Sequence, residues 1–493
     1  MLAIAIVLIL IVVGGVLPFV KQGEAAKKLA LCALSITFVF SLILLRVVSI
    51  EQIHIIAGAE PWNFYLMVTP LNALMACLFT GLGAFIVWAS FSIIEREVLT
   101  ERVPGYYALV CVLIATLCGT VFMGNLINTF VMIELSSFAA VGIVIIKKCG
   151  HSLRAGIKYL TLSLLGSTFI LMSIVIVHQL TGSLSLSGIF AGISEGFVGN
   201  EYQIRSALIF FTVGSALKSA LFPLHIWLPD AHANAPVPSS ALLSALVPKA
   251  YIFNYLFVLR HAFGEQILLG DHIMHTIMFV IMVSGAVAML AGSIFALFQH
   301  NLKRMIAYST VAQIGYMFLG IGLGSDLGLL AVILNIIVHA VAKSMLFLSA
   351  GLFIADTGSY NISDLTGVGR RNMFGGAAFT AGALSMMGIP VFAGFVAKFY
   401  LANAAALYGG ITLWIVLPAI VVSTFLNGLY YFPVIISIFS ADPGTADAHI
   451  QQSPVAFSLK ASLVIMFVIN IGLGLLFMPL FNTFEVSFSG LLL

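Results

Sequence analysis

Five ionisable side chains lie inside long apolar stretches of the sequence: Glu134, Lys218, Lys249, Lys343 and Lys398. An ionised side chain at the centre of a bilayer costs roughly 2.5–3.5 kcal/mol on insertion scales. Five of them therefore need compensation, and we expect them to face the interior of a helix bundle, share water and pair. The protonation of a buried lysine depends strongly on a neighbouring carboxylate, so the movement of one neighbour can switch it. This set favours a proton relay over a hydrolytic or redox site.

The stretch GSALKSALFPLHIWLPDAHANAP, residues 214–236, places Lys218 just before a helix break at Pro223. Proline removes a backbone donor and frees carbonyl groups, and irregular backbone at membrane depth is tolerated only beside protein or water. The break is therefore predicted to bring water and polar groups to Lys218. The break continues to Pro229, which His225 and His232 flank. They either join the relay or cap the broken helix ends, and the sequence leaves both readings open.

His339 and Lys343 are four residues apart, so they share one face of a helix. Histidine titrates near neutral pH and can pass protons with small energetic steps. Lys249 and Lys398 have an alternative reading, in which the long side chain reaches a membrane surface. No exposed position is expected within reach of the short side chain of Glu134. The candidate relay residues are Glu134, Lys218, Lys249, His339, Lys343 and Lys398, with His225 and His232 as secondary candidates.

Composition excludes a soluble protein, because 61% of the residues are hydrophobic and only 8% are charged. Apolar segments of about 20 residues recur along the whole chain and predict an all-α polytopic membrane protein. The fourteen predicted helices lie at 1–20, 29–49, 68–93, 105–123, 125–146, 156–180, 205–228, 237–260, 273–298, 304–324, 327–354, 372–404, 410–440 and 456–480. The five cysteines have no metal-binding spacing, so we expect no metal and no cofactor in this chain.

Basic residues predict the orientation. With the N-terminus outside, the outer loops hold only Arg46, Arg205 and Arg260. The cytoplasmic loops hold fourteen basic residues: Lys21, Lys27, Lys28, Arg96, Arg102, Lys147, Lys148, Arg154, Lys158, Lys303, Arg304, Arg370, Arg371 and Lys460. This positive-inside bias places both termini on the outer side of a prokaryotic cell membrane.

Helix 12, in SMMGIPVFAGFVAKFYL, is interrupted at Gly388-Ile-Pro390, as helix 7 is at Pro223. Broken helices at matching positions point to a transport site near the midplane and to internal repeats. We therefore predict two five-helix repeats, helices 4–8 and helices 9–13. The predicted regions are 1–104 (helices 1–3), 105–260 (first repeat), 273–440 (second repeat) and 441–493 (helix 14).

Several motifs resemble the antiporter-like membrane subunits shared by respiratory complex I, Mrp-type Na+/H+ antiporters and energy-converting [NiFe] membrane hydrogenases. The resemblance covers about residues 105–405. Its carriers are FVMIELSSF, ALKSALFPLHIWLPDAHANAPVPSSALLSALVPKA, NLKRMIAYSTVAQIGYM, HAVAKSMLFLSAG and GIPVFAGFVAKFY. Three features depart from the family pattern: GIPV lacks a frequent second proline, Pro248-Lys249-Ala250 replaces an aliphatic–Lys–Gly run, and no long lateral helix follows helix 14.

The resemblance implies fourteen helices with inverted repeats and a relay along the membrane midplane. In that relay Glu134 and Lys218 form a paired switch, Lys249 continues the path, His339 and Lys343 bridge to the second half, and Lys398 ends it. It implies an ion-translocating component of a redox-driven complex that moves protons or sodium. The expected partners are other hydrophobic subunits, lipid, and peripheral redox subunits with iron–sulfur or nickel centres. Two alternatives stay open: a component of a multi-subunit Mrp-type Na+/H+ secondary antiporter, and a non-transporting membrane scaffold.

Overall fold

The computed structural model describes residues 1–49, 53–57, 64–264, 268, 270–441 and 455–476. Predicted positions between them, including most of the region 441–493, lie outside the described residues. The first ten helices are α1 (Leu2–Val16), α2 (Gly23–Val48), α3 (Pro70–Ser90), α4 (Ile94–Glu97), α5 (Val103–Phe122), α6 (Leu126–Ile145), α7 (Gly150–Thr181), α8 (Leu186–Gly196), α9 (Glu201–Ser219) and α10 (Leu228–Asn234). The others are α11 (Val237–Ala245), α12 (Val247–Val258), α13 (His272–Leu297), α14 (Leu302–Gly322), α15 (Asp326–Thr357), α16 (Val368–Arg371), α17 (Met373–Met387), α18 (Ala393–Tyr408), α19 (Gly410–Phe439) and α20 (Phe457–Leu475).

The prediction of a helical polytopic membrane protein is confirmed. Within the described residues, 12 helices are long and apolar enough to cross a membrane. The two further predicted spans, 205–228 and 372–404, are present as interrupted helices, α9 with α10 and α17 with α18. The count of fourteen crossings stays a prediction. One antiparallel hairpin, β1 (Ile53–Ala57) with β2 (Phe64–Val68), was not expected from the apolar pattern.

The helices form a bundle with a buried centre and a more exposed periphery. The span formed by α11 and α12 is completely buried, and α14 and α15 are nearly so, whereas only about a third or less of α1, α2, α19 and α20 is buried. The central helices carry Lys249, His339 and Lys343. The tertiary structure therefore places these charges where other protein groups, rather than lipid, surround them.

The two halves share a local structural pattern. Asn125 begins α6 and Asn301 begins α14, and each side chain caps its helix. Each asparagine also forms an isolated β-bridge, Asn125 with Ser185 and Asn301 with Asn361. The offset between the halves is the same for both members of the bridge, 301 − 125 = 176 and 361 − 185 = 176. The helices α7 and α15, which follow α6 and α14, are both 32 residues long and end on a left-handed glycine. This correspondence favours the predicted repeats.

Two basic residues differ from their predicted placement in cytoplasmic loops. Lys303 lies in the first turn of α14 with no exposed surface, and its Nζ donates to the Ala235 carbonyl at 2.6 Å. Lys27 lies in α2 and is 1% exposed, paired with Glu24 at 2.5 Å and Glu95 at 2.6 Å. Both sit near the ends of apolar segments, where hydropathy cannot distinguish a helix turn from a loop. Their burial needs neighbours that are distant in sequence.

Candidate functional site

Lys218 and Glu134 form a partly buried ion pair at the end of α9. The ammonium donates three hydrogen bonds of 2.8 Å, to Glu134 Oε1 on α6, Ser137 Oγ on α6 and Ser163 Oγ on α7. Ser167 Oγ donates a further hydrogen bond to the same carboxylate. All three donors of the ammonium are therefore satisfied. The pairing predicted for Lys218 and Glu134 is present in the geometry.

The expectation that Glu134 is fully enclosed was wrong. Its side chain keeps 17% exposure, whereas that of Lys218 keeps 1%. The neighbouring positions Val131, Leu135 and Phe138 on α6 are all exposed, so this face of the helix lies at the edge of the bundle. The ion pair thus lies near a side wall of the protein, because one face of α6 is exposed.

The helix break holds Lys218 by specific contacts. After Ser219 the backbone turns into the left-handed region at Ala220, with φ of 60°. The Trp227 indole N–H reaches back and donates to the Leu217 carbonyl at 3.1 Å. The same indole stacks on Tyr159 of α7, with ring centroids 4.0 Å apart and planes 3° apart. Trp227 thus satisfies a carbonyl at the broken end and anchors the break to α7.

Two glycines bring the lysine close to α7. A Cβ on Gly166 would lie 3.1 Å from the Gly214 carbonyl oxygen and 3.4 Å from Lys218 Cγ, and a Cβ on Gly214 would lie 2.7 Å from the Gly166 carbonyl oxygen. The backbones of α7 and α9 therefore cross in near contact. This crossing lets the Lys218 ammonium reach the hydroxyl of Ser163.

A tyrosine connects this ion pair to the next helix. Tyr251 on α12 is 2% exposed, and its hydroxyl shares hydrogen bonds with Ser136 Oγ at 2.8 Å and Ser137 Oγ at 3.3 Å. Ser137 also accepts from Lys218. A path of hydroxyl groups therefore runs from the ion pair to α12, the helix that carries Lys249.

Lys249 compensates for the helical hydrogen bond that Pro248 removes. A residue at position 248 with an N–H would donate to the Ser244 carbonyl, four residues earlier, but proline has no N–H. The chain kinks between α11 and α12, and Lys249 Nζ donates to that carbonyl instead. Lys249 has no exposed surface, so it does not reach a membrane surface. The Ser244 hydroxyl shares a 2.9 Å hydrogen bond with Thr310 of α14.

His339 and Lys343 lie side by side on α15, as their spacing predicts, and neither has any exposed surface. Lys343 Nζ donates to the Ile306 carbonyl at 2.8 Å and to Ser309 Oγ on α14. Within the described part of the chain, both ring nitrogens of His339 are buried without a hydrogen-bond partner. The imidazole therefore lies one turn from Lys343 as a buried polar group with unused hydrogen-bonding capacity.

Lys398 binds the carbonyl end of the other half of its own helix. Its Nζ donates to the Met386 and Met387 carbonyls and to Thr424 Oγ1, each at 3.0 Å, and lies 5.0 Å from the ring of Tyr316. These carbonyls close α17, where the helix dipole favours a cation. Lys398 is 9% exposed, so it too does not extend to a membrane surface.

Hydroxyl and amide groups connect the two lysines of the second half. Ser309, which accepts from Lys343, shares a 2.9 Å hydrogen bond with the Tyr431 hydroxyl. The neighbouring Tyr430 donates to Asn427 Oδ1 at 2.6 Å, and Asn427 Nδ2 donates to the Met386 carbonyl at 3.3 Å. Lys398 donates to that same carbonyl. Polar groups therefore follow one another from Lys343 to Lys398.

The two secondary candidates lie in aromatic surroundings. His225, in the break, is 5% exposed and lies 5.2 Å from the Phe222 ring and 6.0 Å from the Phe295 ring. His232, on α10, stacks on Phe347 at 5.2 Å. Nδ1 of each ring is buried without a partner among the described residues, and neither imidazole caps a helix end there.

The sequence analysis identified the charged residues of this series of polar groups, but not the uncharged residues that lie between them. The missed residues are Ser137, Ser163, Ser167, Tyr251, Thr310, Tyr431, Asn427 and Thr424. Ser163 and Ser167 are four residues apart on α7, which is a local signal for one polar face. Isolated hydroxyl groups on other helices carry no such signal, because serine and threonine are common in membrane helices.

The arrangement is suited to moving protons between lysines, a histidine and a carboxylate across a short series of hydrogen-bonding groups. Within the described ranges, no group of three or more His, Cys, Asp or Glu side chains is arranged to hold a metal ion. The expectation of no cofactor stays a prediction.

Comparison with known proteins supports this description. Residues 123–426 match the family model described as NADH:quinone oxidoreductase/Mrp antiporter, TM. The chain is 32% identical to NADH-quinone oxidoreductase subunit N of Desulforudis audaxviator over 439 residues, 87% of this chain and 84% of that protein. It is 26% identical to a component of the Na(+)/H(+) antiporter of Alkalihalophilus pseudofirmus over 347 residues, 70% of this chain and 68% of that protein.

Two solved structures share the fold. A chain of the membrane-bound sulfane sulfur reductase, an archaeal respiratory membrane complex, superposes with a TM-score of 0.88 at 23% identity over 99% of this chain and 97% of that one. A chain of the Mrp complex from Dietzia sp. DQ12-45-1b superposes with a TM-score of 0.84 at 22% identity over 97% and 95%. The match of the family model to more than half of the chain, together with the subunit N relative, shows that this protein belongs to the NADH:quinone oxidoreductase/Mrp antiporter transmembrane family.

Proposed function

We propose that this chain is the proton-translocating subunit of a redox-driven membrane complex, and that it works by a relay along the membrane midplane. The observation that carries the proposal is the series of buried polar groups from the Glu134–Lys218 pair to Lys398. Lys249, His339 and Lys343 occupy its centre, in the most buried helices. Sodium is the alternative ion.

The relay operates by changing the environment of one lysine at a time. When Glu134 moves away from Lys218, the ammonium loses its only carboxylate partner among the described residues and keeps two serine hydroxyls. The free-energy difference between protonated and neutral lysine then changes, which drives a proton toward or away from the central groups. His339, with both ring nitrogens free of partners in the described part of the chain, bridges the two halves.

Membership in a redox complex is supported by the relatives. The subunit N relative aligns over more of this chain and at higher identity than the Na(+)/H(+) antiporter relative, and the respiratory reductase chain superposes with the higher TM-score. Other membrane subunits are therefore partners of this chain. Peripheral subunits with iron–sulfur or nickel centres belong to the proposal, since the redox chemistry must occur in another chain.

A component of an Mrp-type antiporter is the second candidate, and the superposition on the Mrp chain favours it. The two differ in their partners. Purification from native membranes in mild detergent, followed by mass spectrometry and metal analysis of everything that stays bound, decides between them. Bound nickel or iron–sulfur proteins support the redox complex. Small hydrophobic partners without metal support the secondary antiporter.

A different experiment tests the third alternative, a membrane scaffold that transports no ions. Glu134→Gln and Lys218→Ala in the assembled complex are expected to reduce proton transfer most strongly, Lys249→Ala and Lys398→Ala less, and His339→Ala least, because water can substitute for the imidazole. Unchanged ion coupling in the first two variants would support the scaffold. A greater loss in His339→Ala than in Lys218→Ala would contradict the assigned relay.

The orientation is also a proposal. The excess of basic residues in alternate loops places both termini on the outer side of the cell membrane. Reaction of single cysteines, introduced at exposed Lys21 and exposed Tyr202, with a membrane-impermeant maleimide in intact cells tests it. Only the cysteine at position 202 is expected to react, and the reverse result would invert the topology.

A further inference from the structure

A basic cavity that the relay does not use lies at the end of the bundle where α7 begins. It has a volume of about 710 Å³ and lies between the first turns of α7, helix α10 and the start of α14. Its charged lining residues are Lys147, Arg154, Lys158, Asp230 and Arg304, and His151 lines it as well. A space of this size accommodates an organic ligand rather than a single water.

The cavity carries an excess of positive charge. Asp230 is shared by two cations, Lys158 at 2.6 Å and Arg304 at 3.3 Å. Lys147 is paired at 2.5 Å with Glu97, which is not part of the lining. Arg154 is exposed and has no carboxylate within ion-pair distance among the described residues. Four cations against two carboxylates leave a net charge of 4 − 2 = +2 with His151 neutral.

The start of α7 adds to this field. The helix is 32 residues long, and Cys149 at its N-cap position makes no side-chain capping hydrogen bond. The N-terminal end of α7 borders the cavity, because Cys149 and His151 line it, and the positive end of the helix dipole favours an anion there. The start of the helix is one contribution to the positive field. The side-chain charges and the volume of the cavity are separate observations that do not depend on it.

An apolar surface continues from the rim of the cavity. Leu153 and Ile157 lie next in sequence to Arg154 and Lys158 on α7, and they are 41% and 66% exposed. Leu164 and Leu165 extend this exposed apolar surface farther along the helix. A ligand with a phosphate head in the cavity and hydrocarbon chains along α7 matches both parts. A soluble anion would use only the first.

We propose that this cavity binds the phosphate headgroup of an anionic phospholipid such as phosphatidylglycerol, with its acyl chains against the exposed face of α7. Basic pockets between membrane helices suit such headgroups, and each cation near the membrane surface contributes about fivefold in affinity. Arg154 is the principal ligand-binding residue, because its guanidinium has no competing carboxylate among the described residues.

The labelling rate of a native cysteine can measure whether a lipid headgroup occupies the cavity. Cys149 lines the cavity and is exposed. Cys32 is the other exposed cysteine and is replaced by serine, while the three remaining cysteines are buried. The full-length Cys32→Ser protein is reconstituted in vesicles of phosphatidylcholine alone or with phosphatidylglycerol. The rate at which an uncharged maleimide labels Cys149 is then measured.

Phosphatidylglycerol is expected to slow the labelling of Cys149, and Arg154→Gln is expected to raise the phosphatidylglycerol fraction needed for half-protection about fivefold. Lys28→Gln removes an exposed cation of α2 outside the cavity and is expected to leave protection unchanged. A cysteine at position 28, in a Cys149→Ser background, controls for the surface potential of the vesicles.

Equal labelling rates in the two lipids, or full protection in Arg154→Gln, would overturn the proposal. Protection by millimolar inorganic phosphate in phosphatidylcholine vesicles, without any effect of phosphatidylglycerol, would assign the cavity to a soluble phosphate ligand and would overturn it as well. Lipid extracted from the purified protein gives a second measurement, with phosphatidylglycerol retained by the wild type and reduced in Arg154→Gln.

Discussion

Replacement of Glu134 by glutamine tests the ion pair at the start of the proposed relay. At 2.8 Å and an effective dielectric constant of about 20, two unit charges attract each other by about 6 kcal/mol, which is a gross figure. Two features reduce the net value. Ser137 and Ser163 keep two hydrogen bonds to the ammonium, and the partly exposed carboxylate is screened by its surroundings. A net coupling of about 2 kcal/mol follows, within the range measured for residues in contact.

That coupling energy sets the expected kinetic effect. Glu134→Gln therefore changes the free-energy difference between protonated and neutral Lys218 by about 2 kcal/mol. This corresponds to a decrease of about 30-fold in the rate of proton transfer. Ser137→Ala removes one neutral acceptor, worth about 1 kcal/mol, and is expected to cost about fivefold. The assay is the initial rate of dye-reported proton movement in membrane vesicles that contain the assembled complex, with an imposed pH gradient and a potassium ionophore to remove the membrane potential.

The matched control is Glu195→Gln, which removes an exposed carboxylate on α8 and is expected to leave the rate unchanged. Assembly of each variant is checked by its yield and thermal stability after purification. A Glu134→Gln rate within about threefold of the wild type, or a larger loss in Ser137→Ala than in Glu134→Gln, would refute the reasoning from the ion pair.

Three further predictions concern other parts of the structure. Tyr251→Phe removes the hydroxyl that joins the ion pair to α12, so proton transfer should fall about fivefold in the same assay while thermal stability changes little. Gly394→Ala would place a Cβ 1.7 Å from a facing backbone carbonyl oxygen in the second helix break, so the yield of folded protein should collapse, whereas Gly472→Ala, with no heavy atom within 4 Å, should fold normally. Hydrogen bonding with Arg205 lowers the pKa of Asp271, so the stability contributed by this pair is present at neutral pH and lost as pH falls below about 4. The difference in melting temperature between wild type and Asp271→Asn should therefore shrink on acidification, and a constant difference would contradict this.

The sequence alone determined the helical membrane class, the approximate positions of the long apolar helices and the two helix breaks, but not the short helix α8 between two predicted spans. These features depend on local properties, because a membrane crossing needs about 20 consecutive apolar residues and proline breaks the hydrogen bonding of its own helix. The charged members of the site were also found from the sequence, since a lysine or glutamate within an apolar segment is conspicuous wherever the segment packs. Their roles in a relay stay a proposal.

Only the tertiary structure decided which groups connect the charges. Tyr251 lies 114 positions from Ser137, and Tyr431 lies 122 positions from Ser309. No periodicity within a single helix relates such residues. The same holds for the burial of Lys303 and for the exposed edge of Glu134, which depend on which helices lie at the centre of the bundle and which at its side. A hydrogen bond between helices is a property of their packing, and hydropathy and local spacing contain no information on that packing.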